Sequence, residues 1–185
     1  MPFITSTLQQ EASTKLNFGA KKTMQIAQKL YEGLPLADGV SEGLISYMRT
    51  DSTRLSDVFV KDAESYIEEV YGKEYKGRAR QKNNENAQDA HEAIRPTDIT
   101  RTPASLKDSL SRGQLRLYQL IWKRFAASRM QPAKYETTSV KIGAGEYMFT
   151  VATSKVAFEG FRTVYTEADE EKEVSNVMVN GLSMD

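Results

Sequence analysis

The sequence predicts an α+β protein, in which a mainly helical domain at residues 1–133 is followed by part of a β-rich domain at residues 134–185. Three observations support this division. Apolar residues recur at helical spacing before residue 130, Pro132 interrupts that pattern, and β-branched residues alternate with polar ones from Tyr135 onward. A chain of 185 residues, 39% of them hydrophobic, is long enough to bury the core of one ordinary domain.

Two helices are predicted in the first 33 residues. Ser6 followed by Gln9 forms a capping-box pattern, so we expect the first helix to begin near Thr7. The second helix is predicted from about residue 21 to residue 32, and a glycine follows it. Its apolar stripe would include Leu30 and Tyr31. Proline and glycine in residues 34–41 then predict a loop.

The segment 44–49 is predicted to be extended. Side chains alternate along a strand, so Tyr47 and Arg49 would lie on the same face, about 7 Å apart. This pair suits attack on a phosphodiester, because a phenol oxygen can act as the nucleophile while a guanidinium binds phosphate oxygens. The alternative is a half-buried structural tyrosine with Arg49 lying beside it.

Polar side chains follow at residues 50–53. Their hydroxyl and carboxylate groups can satisfy backbone groups within a turn. Ser52 and Thr53 are also candidate contacts for a phosphate backbone, which proteins bind without reading sequence. The residues alone leave both interpretations open.

The next predicted elements are again helical. A third helix is expected to begin at Ser56 and Asp57 and to end at Gly72, and a basic loop should follow. Three further helices are predicted over residues 87–94, 104–110 and 114–130. His91 and Arg95 are four residues apart and would point the same way from the first of these three. Trp122, in the last, has the apolar neighbours typical of a core.

The C-terminal region is predicted to form a β-hairpin, with strands at residues 137–142 and 147–151. A further extended piece is expected over residues 155–165, with a turn at Glu159 and Gly160. Two or three strands without covering helices are only marginally stable, so we expect this region to be part of a larger sheet. The acidic run at residues 167–171 is interpreted as a solvated linker and not as a metal site.

Composition excludes several classes of function. The chain carries 25 basic and 25 acidic residues, so any nucleic-acid site must be local. It has no cysteine and one histidine, which excludes thiol catalysis and zinc fingers and makes a protein-built zinc site unexpected, so any metal would have to be bound by carboxylates. No apolar run is long enough to cross a bilayer and no secretory signal is recognisable, so we expect a cytoplasmic protein without membrane contact.

Three blocks of the sequence resemble the type IA DNA topoisomerases, in the family's order. They are residues 2–13 (Pro-Phe-Ile-Thr-Ser-Thr-Leu-Gln-Gln-Glu-Ala-Ser), residues 43–52 (Gly-Leu-Ile-Ser-Tyr-Met-Arg-Thr-Asp-Ser) and residues 90–97 (Ala-His-Glu-Ala-Ile-Arg-Pro-Thr). The resemblance implies that Tyr47 forms a transient link to a DNA 5′ phosphate, that Arg49 assists it, and that His91 contacts a phosphate nearby. Met48 is closer to the bacterial topoisomerase I branch than to the topoisomerase III branch.

The resemblance also implies what the chain lacks. In the family, magnesium is bound by the acids of a separate domain, so we expect the metal outside this fragment and the fragment alone to be inactive. The β-rich region would belong to the gate arch. The substrate would be single-stranded or negatively supercoiled DNA, and the protein would be located at the bacterial nucleoid. No nucleotide cofactor is expected, because the sequence has no P-loop.

We further hypothesise that His91 and Arg95 both bind the DNA backbone. Two other functions remain open. One is a different tyrosine-dependent DNA strand transferase, and the other is a noncatalytic helical module that binds nucleic acid.

Overall fold

Four α-helices and two antiparallel hairpins make up the part of the chain that the structure describes, which is residues 1–36, 39, 41–77 and 91–165. The structure is a computed structural model. The helices are α1 (Thr5–Leu16), α2 (Ala20–Glu32), α3 (Asp57–Tyr71) and α4 (Arg112–Ser128), and the strands are β1 (Leu34–Pro35), β2 (Ser41–Glu42), β3 (Lys134–Ala144) and β4 (Tyr147–Phe158). The predicted α+β class is confirmed.

Helix α4 lies at the centre of the core. It packs against α1 and α2, and its side chains Leu117 and Ile121 are fully buried. Trp122 is 5% exposed and its indole N–H donates to the Ile99 carbonyl at 2.9 Å, which confirms its predicted place in the core. The predicted ends of α2 and α3 are confirmed to within one residue.

The starts of two helices differ from the prediction. Helix α1 begins at Thr5, because the Thr7 hydroxyl accepts the Ile4 N–H at 3.1 Å and so caps the helix two residues earlier than expected. Helix α4 also begins two residues early. Its first turn is closed by a capping box in which Ser111 and Gln114 satisfy each other's backbone N–H groups.

The predicted hairpin is confirmed, and its strands are longer than the sequence suggested. Its register pairs Val140 with Val151 and Ile142 with Phe149, so these four apolar side chains share one face. All four are between 44% and 58% exposed. The hairpin therefore presents an uncovered apolar face in this chain.

The predicted extended piece at residues 155–165 is wrong beyond Phe158. A 3₁₀ helix, Gly160–Thr163, follows the hairpin and packs against the end of α4. Its approach is close, since a Cβ on Gly160 would lie 2.5 Å from the Gln131 carbonyl oxygen. Gly160 also has a φ of 52°, which favours glycine at this turn.

Two predicted helices are absent from the described residues. Residues 104–110 form a series of turns, and residues 91–93 have no regular secondary structure, with Ile94 bridged to Phe3. The Ile94 N–H donates to the Phe3 carbonyl at 2.8 Å, so a tertiary contact takes the group that a helix would have used. Residues 87–90, most of the basic loop and the acidic run at 167–171 lie outside the described residues. None of the described helices has the length and apolar character to span a membrane.

Candidate active site

The segment that carries Tyr47 is held by several different parts of the fold. The Leu44 N–H donates to the Leu30 carbonyl at 2.7 Å, and the Ser46 N–H donates to the Arg95 carbonyl at 2.9 Å. The predicted strand at residues 44–49 is therefore wrong. Only Ile45 pairs as in a sheet, with Pro96, and the chain bends at residues 46, 48 and 49. In a regular strand Ile45 and Tyr47 would lie on the same face. Instead Ile45 is buried while Tyr47 is partly exposed.

Two hydroxyl groups lock this irregular backbone. The Ser46 hydroxyl donates to the Ala93 carbonyl at 2.8 Å and accepts the Arg95 N–H at 3.0 Å. On the other side, the Thr5 hydroxyl donates to the Met48 carbonyl at 2.8 Å and accepts the Thr50 N–H at 2.9 Å. These bonds satisfy backbone groups that a regular strand would have paired, so the turn that presents Tyr47 is well defined.

The Tyr47 ring is partly exposed and lies between two other rings. It stacks on His91 with 5.3 Å between ring centroids and an interplanar angle of 29°. Tyr31 contacts it edge-on, at 5.4 Å and 67°. Among the described residues no group hydrogen-bonds to the Tyr47 hydroxyl. The phenol oxygen is thus available to react with a ligand. A tyrosine that served only for packing would not need an available hydroxyl.

Arg49 is exposed and lines an open cleft of about 430 Å³. His91 lines the same cleft, so the residue that stacks on Tyr47 also borders the space beside Arg49. No hydrogen bond or ion pair engages the Arg49 guanidinium within the described part of the chain. The full lining is Ile4, Thr5, Ser6, Gln9, Arg49, Thr50, Asp51 and His91.

The first turn of α1 contributes to this cleft through Thr5 and Ser6. Backbone N–H groups at the start of a helix and the helix dipole favour an anion there. Asp51 brings a carboxylate to the same lining, so the cleft is not uniformly positive. We therefore expect an anionic ligand to bind in the part of the cleft lined by Arg49, His91 and the start of α1, away from Asp51.

Arg95 lies in a different environment from His91. Its side chain is 6% exposed, and its Nη2 and Nε donate to Glu92 Oε2 at 2.6 and 2.9 Å. Its guanidinium also lies over the Phe59 ring, and its Nη1 donates to the Pro96 carbonyl at 3.0 Å. Burial lowers the pKa of Arg95, and the hydrogen bond to Glu92 opposes that change.

The prediction that His91 and Arg95 project from one helical face is accordingly wrong. His91 is exposed at the cleft, while Arg95 is buried against α3. The Ser56 N–H at the start of α3 donates to Glu92 Oε1 at 2.7 Å, so the carboxylate that pairs with Arg95 also holds the N-cap residue of that helix. DNA binding by Arg95 stays a prediction to which this geometry lends no support.

Ser52 and Thr53 differ in the same way. The Ser52 N–H donates to the Thr50 hydroxyl at 3.0 Å, and the Ser52 hydroxyl accepts the Arg54 N–H at 3.2 Å. Ser52 therefore takes part in the local turn that was one of the two interpretations. Thr53 is exposed. Their contact with DNA remains a prediction.

Metal binding receives no geometric support from the described residues. They contain no group of three or more histidine, aspartate or glutamate side chains arranged to hold a metal ion. Since the residues present do not fit a magnesium centre, no step of the chemistry is assigned to such an ion in this chain.

The profile of the family described as DNA topoisomerase matches residues 1–183. The chain belongs to this family, and the family match together with the similar bacterial structure described next confirms the predicted assignment to the bacterial type IA enzymes. Full-length topoisomerase I from Thermotoga maritima is a similar solved structure, with 47% sequence identity and a TM-score of 0.77. The match covers 90% of this chain and 27% of that one, so the chain spans about a quarter of the length of that protein.

Sequence reasoning singled out Tyr47, Arg49 and His91. The structure stacks Tyr47 on His91 and places His91 and Arg49 in the lining of one cleft. Sequence reasoning missed two residues of the site. Tyr31 was placed on the apolar stripe of α2, yet it is 40% exposed and contacts the Tyr47 ring. Thr5 was expected to lie before the first helix and was given no role. Its position in the first of the three family-like blocks was the signal that could have found it.

Proposed function

We propose that this chain is the nucleophile-bearing part of a type IA DNA topoisomerase, which cleaves and reseals one DNA strand to relax negatively supercoiled DNA. One observation carries the proposal. A partly exposed Tyr47, with no hydrogen bond to its hydroxyl among the described residues, stacks on His91 at the edge of a cleft lined by Arg49. Family membership makes DNA the substrate that best explains this arrangement.

In the proposed reaction, the Tyr47 oxygen attacks the phosphorus of a DNA phosphodiester and releases its proton. A bond forms between the phenol oxygen and phosphorus, and the bond from phosphorus to the 3′ oxygen breaks. That oxygen takes up a proton from water and leaves as a 3′ hydroxyl, which balances the proton that Tyr47 releases. One phosphate ester replaces another, so the DNA can be resealed by the reverse reaction without a nucleotide cofactor. A second strand passes while the link to the 5′ phosphate persists.

Arg49 and His91 have supporting roles in this proposal. Phosphoryl transfer depends mostly on positioning and on stabilising negative charge. The Arg49 guanidinium offers two parallel N–H groups to the phosphate oxygens, and its exposed position leaves it able to reach them. His91 holds one side of the Tyr47 ring and borders the same cleft, where it contacts a neighbouring phosphate.

The chain alone is proposed to be inactive. The described residues provide no metal centre, so the acidic domain that binds magnesium in the full-length enzyme is needed to complete the site. Magnesium would supply positive charge at the reacting phosphate. The working enzyme would act on the DNA of the bacterial nucleoid, in the cytoplasm.

A chimera tests the proposal. The matching segment of the Thermotoga maritima topoisomerase I is replaced by this chain, to which it is 47% identical. Incubation with single-stranded DNA and magnesium should give a covalent protein–DNA adduct that the Tyr47→Phe variant does not form. DNA affinity should be the same for both. An adduct of undiminished yield in Tyr47→Phe would refute the proposal, and DNA binding without any adduct would favour a noncatalytic binding module.

A further inference from the structure

The end of α2 is pressed against the segment that carries Tyr47. The Leu44 N–H donates to the Leu30 carbonyl at 2.7 Å, which ties the last turn of the helix to this segment. Gly43 permits the approach, because a Cβ there would lie only 2.5 Å from the Tyr31 carbonyl oxygen. The fold therefore fixes the backbone of Tyr31 directly beside the Tyr47 segment.

The Tyr31 ring contacts the Tyr47 ring in a different geometry from the His91 ring. The Tyr31 contact is edge-on, at 5.4 Å between centroids, and the His91 contact is stacked, at 5.3 Å. Both distances lie in the range of favourable aromatic pairs. Tyr47 also packs against the edge of the core, and no described residue hydrogen-bonds to its hydroxyl, so the two ring contacts help to set the direction of the phenol.

We propose that Tyr31 is a positioning residue for Tyr47, and that its ring and the His91 ring together hold the phenol oxygen in line with the scissile phosphate. This inference rests on the proposed role of Tyr47 as nucleophile. Restricting a nucleophile to the reactive orientation raises the rate without changing substrate affinity. Tyr31 is 40% exposed, so its ring is not needed to fill the core. Its effect on catalysis should therefore be separable from its effect on stability.

The ring of Tyr31, and not its hydroxyl, makes the contact with Tyr47. Tyr31→Phe keeps the ring and Tyr31→Leu removes it, while leucine retains apolar bulk and helix propensity. An edge-on aromatic pair is worth about 0.5–1.5 kcal/mol, and each 1.36 kcal/mol is tenfold in rate. We therefore expect Tyr31→Leu to slow adduct formation up to about tenfold, and Tyr31→Phe to stay within about twofold of the parent.

Two experiments test this. In the chimera, the rate of adduct formation and the Kd for single-stranded DNA are measured for both variants. In the 185-residue chain itself, ¹³C-labelled tyrosine NMR follows the ring signals of Tyr47, which should shift in Tyr31→Leu and not in Tyr31→Phe. Tyr71→Leu controls for the loss of a tyrosine ring elsewhere in the fold. Tyr71 ends α3 and its ring contacts Tyr75 at 6.2 Å, so this variant should change neither the rate nor the Tyr47 signals.

The outcomes separate this inference from the proposed function. A Tyr31→Leu variant that forms the adduct at the parental rate would overturn the positioning role. So would a loss of rate matched by an equal rise in Kd, since Tyr31 would then be a DNA contact. If instead the Tyr47→Phe chimera still forms the adduct, the proposed nucleophile is wrong, whatever the Tyr31 variants do. Slower adduct formation with unchanged Kd, recovered in Tyr31→Phe, supports the inference.

Discussion

Removing Glu92 tests the structural reason for the burial of Arg95. The Glu92→Ala variant deletes the carboxylate that accepts two hydrogen bonds from the Arg95 guanidinium, at 2.6 and 2.9 Å. It also removes the acceptor of the Ser56 N–H at the start of α3. Removing one partner of a buried ion pair costs about 3–5 kcal/mol. Because the Glu92 side chain is 17% exposed, we expect about 3 kcal/mol.

Urea unfolding monitored by circular dichroism measures this effect. With a denaturant slope of about 2 kcal/mol/M, a loss of about 3 kcal/mol lowers the midpoint by about 1.5 M. Glu42→Ala is a matched control, since Glu42 and Arg101 form an ion pair of the same 2.6 Å length with side chains 33% and 28% exposed. An exposed pair contributes about 0–1 kcal/mol, so its midpoint should move by less than about 0.5 M. Equal shifts in the two variants would refute the reasoning.

The same pair allows the DNA-binding hypothesis for Arg95 to be checked separately. A Glu92→Gln, Arg95→Met double variant removes both charges, while the amide oxygen of the new glutamine can still accept from the Ser56 N–H. It should recover most of the lost stability, because an apolar group replaces a buried charge without leaving its partner unpaired. Its affinity for single-stranded DNA should match that of the parent within about twofold. A larger loss of affinity would show that Arg95 contacts DNA after all.

Three further predictions concern the hydrogen bonds of Ser46, the buried Tyr118 and the hairpin. Ser46→Ala should lower the free energy of unfolding by about 2 kcal/mol, because the buried Ala93 carbonyl and Arg95 N–H both lose their partner. Ser46→Thr keeps the hydroxyl and should recover most of this free energy. Equal urea midpoints for the two variants would contradict the prediction. Burial raises the pKa of Tyr118, so its contribution to stability is complete below about pH 10, the unfolded value, and is lost as the pH rises through the folded value. Tyr118→Phe should therefore lose less stability than the parent between about pH 9 and pH 11 in urea titrations, and a larger loss would reverse the expected sign. The exposed apolar face of the hairpin predicts that the chain self-associates in sedimentation velocity and that Phe149→Lys lowers its sedimentation coefficient; equal coefficients for the two proteins would count against this.

The elements that the sequence predicts well are those decided by local pattern. Helices α2 and α3 have regular apolar stripes and end at Gly33 and Gly72, each with a φ of 107°. The hairpin alternates apolar and polar residues and turns at Gly145, which has a φ of 63°. In these segments the backbone groups are satisfied within the element, so neighbouring sequence is enough to predict them.

The segments that failed are those whose backbone groups bond to distant parts of the chain. Residues 91–94 have a helical pattern of residue types, yet Ile94 bonds to Phe3, and Ser46 bonds to the backbone on both sides of Ile94. The 44–49 segment failed for the same reason. Tyr47 and Arg49 were proposed as site residues because their residue types suggest the chemistry. Tyr31 was missed because an aromatic residue on an amphipathic helix ordinarily predicts core.

The most direct test of the central claim is the polarity of the link between protein and DNA. The chimera carrying this chain is incubated with magnesium and a single-stranded oligonucleotide labelled at either its 3′ or its 5′ end. A 5′-phosphotyrosine at Tyr47 should transfer the 3′ label to the protein, leave the 5′ label on a free DNA fragment, and vanish in Tyr47→Phe. Transfer of the 5′ label would identify a different kind of tyrosine-dependent strand transferase and would contradict the account.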